Sequence, residues 1–267
     1  MSVAKSIAVF GGSGFLGRKI CEVGVQKGYQ VTAFSRSGEP PQAVIHQPWI
    51  TKVNWEPVDI FDPKSYTSKL AEFGTVVHSI GLLFENPSYK RSMNSNFNFL
   101  NDIQNFANSL KGSNPMEKNE TNTYEAIQRD SAVLLADNFL EHQRENPTYV
   151  YISADQQFPI VPEDYLTTKR EAEFELSCKK GLRAILMRPS FMYDDSHEGG
   201  LDNRDIVAKL LKLGYGTKEF ILGDRITFLN KQVRPPVSTA QVARSIYEKI
   251  ENPEFKGVVT LEEIARH

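Results

Sequence analysis

The sequence predicts a doubly wound α/β fold: an open, mostly parallel sheet with helices on both faces and a small C-terminal lobe on the substrate side. Two observations carry this. Short apolar runs suited to buried strands alternate with helix-period segments along most of the 267 residues, the pattern of strand-helix-strand units in a parallel sheet. The first unit also carries glycines at positions 11, 14 and 17, between the apolar run Ile7 to Phe10 and a helix-like segment ending near Gly28. Glycines so placed suit a phosphate-binding turn: one makes the tight turn, the next lets the backbone approach a pyrophosphate, and the third lets helix and strand pack closely. The phosphates would rest on free amides at the helix N-terminus, where the macrodipole favours negative charge. Gly11, Ser13, Gly14, Phe15 and Leu16 are therefore candidate dinucleotide contacts, against the plainer reading of a structural turn.

Composition bounds the rest. A chain of this length buries a substantial core unaided, as one domain. Residues 1–190 read as the dinucleotide-binding core and 191–267 as the substrate-side part of the same compact domain. The 31 basic and 33 acidic side chains nearly cancel, and no basic run is interleaved with aromatics, which argues against nucleic acid as a partner. No apolar run approaches the roughly 18 to 20 residues of a transmembrane helix; the best, Val76 to Phe84, contains His78, Ser79 and Gly81. The chain is expected to be soluble or peripheral. A first strand beginning by Ile7 leaves no room for a conventional signal or transit peptide. Cys21 and Cys178 form neither a disulfide framework nor a metal-ligand spacing, and both are expected to be reduced and buried. The five histidines show no metal spacing either, so no metal is assigned.

The elements follow in order. Gln30 to Phe34 reads as a second strand ending in Ser35-Arg36-Ser37-Gly38. An acidic residue about 20 positions beyond the glycines would hold a ribose 2′-hydroxyl, whereas arginine accommodates a 2′-phosphate. Arg36 stands there without an acid, which favours NADP(H) over NAD(H). Prolines at 40, 41 and 48 leave room for at most a turn around Trp49 before a third strand, Val53 to Glu56. Asp59 and Ile60, in the turn before a helix from about Lys64 to Glu72, would lie beside the adenine; an ordinary turn-capping Asp is the bland alternative. Val76 to Ser79 makes strand four, and Ser79 and Gly81 would then pass close to the coenzyme, although a plain turn glycine explains Gly81 too. Residues 85–123 are rich in asparagine and lose periodicity, so a mobile insertion is expected. Tyr124 to Glu145 places Ile127, Ser131, Leu134, Leu135 and Phe139 on one helical face.

Strand five, Thr148 to Ile152, delivers Ser153. A helix beginning after Pro162 and running to about Lys180 then carries Tyr165 and Lys169, whose spacing puts phenol and ammonium on one face a turn apart. Strand six, Arg183 to Met187, leads to Arg188-Pro189. A polar loop from Asp194 precedes an amphipathic helix with Ile206, Val207, Leu210 and Leu211. Val233 to Ser238 is extended, Thr239 reads as the N-cap of a helix through Ile250, and Gly257 to Thr260 forms a last strand.

With the glycine turn, Ser153, Tyr165, Lys169 and Arg188-Pro189 in chain order, the sequence resembles an extended or atypical short-chain dehydrogenase/reductase, a Rossmann-fold family, across essentially its whole length. The asparagine-rich stretch departs from that pattern. More narrowly it resembles the fungal mitochondrial proteins of that group associated with coenzyme Q (ubiquinone) biosynthesis, through Tyr151-Ile152-Ser153-Ala154-Asp155, Lys169-Arg170-Glu171-Ala172-Glu173 and the tail from Asn252 to Ile264. The resemblance implies a mitochondrial location on the matrix side of the inner membrane, peripheral membrane contact, and partnership with the ubiquinone-synthesising assembly. Chemically the ordered residues suit hydride transfer to or from a carbonyl or quinone-type carbon of a small hydrophobic or aromatic substrate. Tyr165 would serve as acid or base, Lys169 as its electrostatic support and a holder of the coenzyme, and Ser153 as the donor aiming the substrate oxygen; Pro189 would line the coenzyme. The rival is a non-catalytic coenzyme-binding subunit that stabilises an assembly.

Overall fold

The computed structural model describes residues 5–81, 123–142, 147–156, 163–194 and 234–267. The expected insertion, the amphipathic stretch around Ile206 and most of the polar loop after Asp194 lie outside the described residues. Strand β1 (Ser6–Phe10) leads through the glycine turn into α1 (Phe15–Gln26); β2 (Gln30–Ser35) and β3 (Val53–Pro57) follow. Beyond α2 (Thr67–Leu70) come β4 (Thr75–His78), a π-helical turn (Glu125–Asp130) running into α3 (Ser131–His142), then β5 (Thr148–Ile152), α4 (Glu163–Cys178) and β6 (Arg183–Met187). The short β7 (Met192–Tyr193) and β8 (Val237–Ser238) pair with each other, and α5 (Thr239–Glu251), β9 (Gly257–Val259) and α6 (Leu261–Ile264) complete the described chain.

Seven strands form one sheet in the order β3-β2-β1-β4-β5-β6-β9, every pairing parallel. The order reverses between β1 and β4, the switch point where ligands bind in such sheets. Because side chains alternate along a strand, each central strand feeds two cores. Ile7 and Val9 pack with Ile20 of α1 and Val242, Ile246 and Tyr247 of α5, while Ala8 and Phe10 pack with Leu135 and Phe139 of α3 and Leu176 of α4. The Tyr247 hydroxyl donates to the Ile20 carbonyl at 2.9 Å, tying α5 onto α1. Among the described residues no helix is long and apolar enough to cross a membrane.

Several boundaries differ from expectation for identifiable reasons. The helix expected over 64–72 breaks into a 3₁₀ turn (Pro63–Ser65), which Asp62 caps through Lys64 N, and the single turn α2. The N-cap of α5 is Ser238 rather than Thr239: its hydroxyl accepts from Gln241 N while the Gln241 side chain accepts from Ser238 N, a reciprocal box. Thr260 and Glu263 form the same box and start α6, an element not expected from the sequence. Cys178 is exposed, correcting the expectation that both cysteines are buried, because it falls on the outer face at the end of α4; Cys21 is fully buried.

Candidate coenzyme and catalytic site

The glycine turn meets the demands of a phosphate cradle. Gly11 has φ +86°, and a Cβ there would lie 2.9 Å from the Ser79 carbonyl, so only glycine lets the turn cross the end of β4. A Cβ on Gly17 would meet the Gly11 carbonyl at 2.0 Å, and one on Gly12, which the sequence reading did not single out, would meet Ala33 Cβ at 2.6 Å. Gly14 is the N-cap of α1. No side chain caps that helix, and its first turn has no acidic residue. Helix geometry leaves the opening amides without intrahelical acceptors, so the turn fits the pyrophosphate of a dinucleotide. Ser13, Phe15 and Leu16 belong to this segment, and the Arg18 guanidinium lies over the Phe15 ring, 5.5 Å from its centroid. Arg18 also pairs with Asp194 at 2.8 Å, both side chains nearly buried, linking α1 to the end of β7.

The remaining coenzyme candidates sit along the same carboxyl edge. Arg36 is exposed just past β2. Asp59 accepts from Phe61 N at 3.0 Å, the bland turn-capping contact, and its side chain stays at the surface; Ile60 is buried, with its carbonyl taking the Tyr66 hydroxyl. Ser79 N donates to Phe10 O, bringing β4 against the glycine turn, and Gly81 has open space where a side chain would be. Pro189 is buried and its carbonyl accepts from Asp155 N at 2.9 Å.

The strand end of β5 and the helix α4 bring Ser153 and Lys169 to one place. Lys169 is 2 % exposed; its Nζ donates to the Ile152 carbonyl at 2.6 Å and lies 4.9 Å from the Tyr151 ring centroid. Burial pulls its pKa down from 10.5 to about 7, with Glu173 opposing the fall. Tyr165 is half-buried one turn earlier and meets the Tyr124 ring edge-on at 5.9 Å. The Ser153 hydroxyl accepts from Arg170 Nη1 at 3.2 Å. His78, at the end of β4, is fully buried: its Nε2 is 2.9 Å from Ser131 Oγ, whose own proton goes to Ile127 O, and its Nδ1 has no hydrogen-bond partner among the described residues. Burial, then the Lys169 charge, lowers the imidazole pKa to about 3, so His78 is neutral.

A cluster of charge pairs behind Ser153 went unnoticed in the sequence. Glu173, buried on α4, receives Arg170 Nη1 at 2.7 Å and Arg188 Nε at 2.9 Å on the same oxygen. Arg170 Nη2 donates to the Asp155 carbonyl at 2.7 Å, and Arg234 clasps the Asp155 carboxylate through Nε at 2.6 Å and Nη2 at 3.0 Å. The sequence clue was Lys169-Arg170-Glu171-Ala172-Glu173, whose i, i+3 spacing sets Arg170 over Glu173.

Comparison with known proteins agrees with this geometry. A sequence model described as Male sterility protein matches residues 61–227, and the model of the NAD dependent epimerase/dehydratase family matches residues 7–111. The chain belongs to the atypical short-chain dehydrogenase/reductases. It is 40% identical to MIOREX complex component 2 of Saccharomyces cerevisiae, over 97% of this chain and 98% of that protein. Among solved structures it resembles the FolM alternative dihydrofolate reductase 1 of Brucella canis complexed with NADP (TM-score 0.63, 14% identity, 99% of this chain and 95% of the other). It also resembles the Thermus thermophilus UDP-glucose 4-epimerase complexed with NAD (TM-score 0.56, 14% identity, 96% and 77%). Those two likenesses concern the fold, which binds NAD(P) in both proteins. As a member of this family the chain carries an NAD(P)-binding fold of the epimerase/dehydrogenase kind.

Proposed function

We propose that the protein is an NADP(H)-dependent oxidoreductase acting on a carbonyl or quinone-type substrate. The observation that carries this is Lys169, buried on α4 a turn from Tyr165 with its Nζ on the carboxyl end of β5. A scaffold gains nothing from burying an ammonium there, since desolvating a charge is costly. The uncapped start of α1 would hold the pyrophosphate, with Gly11, Ser13, Gly14, Phe15 and Leu16 around it. Arg36, exposed with no acid beside it in the Ser35-Arg36-Ser37-Gly38 turn, supports NADP(H) over NAD(H). Asp59 and Ile60 would flank the adenine, and Ser79, Gly81, Lys169 and Pro189 the nicotinamide side.

The coenzyme, when bound, supplies or accepts the hydride. Tyr165 gives its proton to the substrate oxygen in reduction and takes it back in oxidation. A phenol with an ordinary pKa of about 10 is a poor base at neutral pH, so phenolate must be stabilised. The Lys169 ammonium does this, and Ser153 donates to the substrate oxygen and holds it toward the phenol.

The setting is proposed as well. The yeast relative is named as a complex component, and the resemblance noted from the sequence supports a mitochondrial protein on the matrix side of the inner membrane, working beside the ubiquinone-synthesising assembly on a hydrophobic or aromatic substrate. A non-catalytic coenzyme-binding subunit is the second reading. That name favours it, as do the internal contacts that occupy Ser153 and Lys169. Anaerobic stopped-flow mixing of NADPH-loaded protein with short-chain quinones and carbonyl compounds separates them. Oxidation in the wild type, lost in Tyr165→Phe while NADPH still binds, is the expected result. Tight NADPH binding with no oxidation by any substrate would leave the subunit.

A further inference from the structure

We infer that Arg170 is a positioning residue that works through Ser153, fixing which way the serine hydroxyl donates. This rests on the redox reading of the site above. Ser153 is 3 % exposed, and its oxygen accepts from Arg170 Nη1 at 3.2 Å. A hydroxyl has one proton and two lone pairs. Once a guanidinium occupies an acceptor lobe, the hydroxyl is polarised, and its own proton is the group left to offer. A substrate oxygen therefore meets a donor, and a donor strengthened by the guanidinium behind it.

Arg170 can do this because the rest of the guanidinium is pinned. Its Nη2 donates to the Asp155 carbonyl at 2.7 Å, and its Nη1 also reaches Glu173 Oε1 at 2.7 Å. Glu173 is itself held by Arg188, and the Asp155 carboxylate by Arg234. Segment 153–155 is thus fastened to α4 at the residue after Lys169. One helix then sets three things at once: the phenol of Tyr165, the ammonium of Lys169 and, through Arg170, the orientation of the Ser153 hydroxyl. Lysine would supply the charge at this position but not the planar fork that spans a hydroxyl, a carbonyl and a carboxylate.

A double-mutant cycle tests this on the full chain, with Arg170→Gln, Ser153→Ala and the pair, and with Arg170→Lys as a second, charge-conserving variant should the glutamine protein fold poorly. Two readouts are used: kcat and KM for quinone reduction by NADPH, and binding of a redox-inert naphthol to the NADP⁺-loaded protein. Arg170→Gln is expected to lower kcat about tenfold, less than the roughly hundredfold of deleting an oxyanion donor outright, with KM for NADPH unchanged. In the Ser153→Ala background it should cost nothing further in either readout, and Arg170→Lys should recover part of the loss. Additive losses, or a loss confined to NADPH affinity or melting temperature, would overturn the role of Arg170 and leave the redox reading standing. A wild type that binds NADPH yet neither turns over nor binds the naphthol would overturn that reading and this inference with it.

Discussion

Replacing Lys169 with methionine isolates the cost of keeping an ammonium in the core. The side chain is 2 % exposed and its pKa falls from 10.5 to about 7, chiefly through burial. The folded-state value lies below the unfolded one, so between them the unfolded chain binds the extra proton, and stability rises with pH across that window. The cost is fully present below about pH 7 and gone above about pH 10.5. By linkage that gap corresponds to about 5 kcal/mol, of which about 2 to 3 kcal/mol is relieved between about pH 6 and about pH 9. Methionine keeps an unbranched apolar stem against Tyr151 and has nothing to titrate. Denaturant unfolding of the coenzyme-free proteins across this range should show the wild type gaining about 2 to 3 kcal/mol on Lys169→Met, while other titrating groups cancel in the difference. A difference that stays flat with pH would refute the reasoning. It would mean that the Ile152 carbonyl and the Tyr151 ring replace the lost hydration of the ammonium in full.

Three further outcomes are expected. Gly17→Ala puts a methyl 2.0 Å from the Gly11 carbonyl, so NADP(H) binding followed by fluorescence should be lost, with a stability cost of about 1 to 3 kcal/mol in denaturant unfolding. Arg18→Met breaks the nearly buried ion pair with Asp194 and should cost about 1.5 to 3 kcal/mol in the same assay, the range for a hydrogen bond to a charged group. Arg36→Ala should weaken NADPH about ten- to a hundredfold and leave NADH affinity unchanged in equilibrium titrations, as expected for the loss of a charge-assisted contact.

What the sequence disclosed, and what it did not, follows from the range of the forces involved. Buried strands such as Ile7 to Phe10 and Thr148 to Ile152 were legible because a sheet covered on both faces demands continuous apolar runs. The glycine turn was legible because Gly17 answers to local geometry, and Gly11 and Gly12, whose reasons include contacts with Ser79 and Ala33 at neighbouring strands, lie inside the same motif. Capping was half legible: Ser238 and Gln241, like Thr260 and Glu263, carry the spacing of a reciprocal box, yet the neighbouring Thr239 offered the same chemistry. The placement of Tyr165 and Lys169 a turn apart on α4 was readable from a four-residue spacing. The partners that Glu173 and Asp155 take from elsewhere in the chain were not, since Arg188 and Arg234 arrive from outside α4 and nothing local distinguishes them from solvated arginines. For the same reason the exposure of Cys178 could not be read, because the outer face of α4 is defined only by what covers its inner one. The buried, neutral imidazole of His78 likewise exists only once β4, α3 and Lys169 are assembled.

The seating of α5 on α1 has a consequence for the order in which the molecule comes together. The glycine turn is synthesised well before residues 239–251, which cover its helix, and before residues 257–259, which fill the edge of the sheet beside β6. Joining partners more than two hundred residues apart carries a loop-closure cost before any contact rewards it. During synthesis Ile20 and its apolar neighbours must therefore wait, uncovered, until residues 239–264 emerge. Over that interval the nascent β1–α1 unit exposes the sticky surface that chaperones bind.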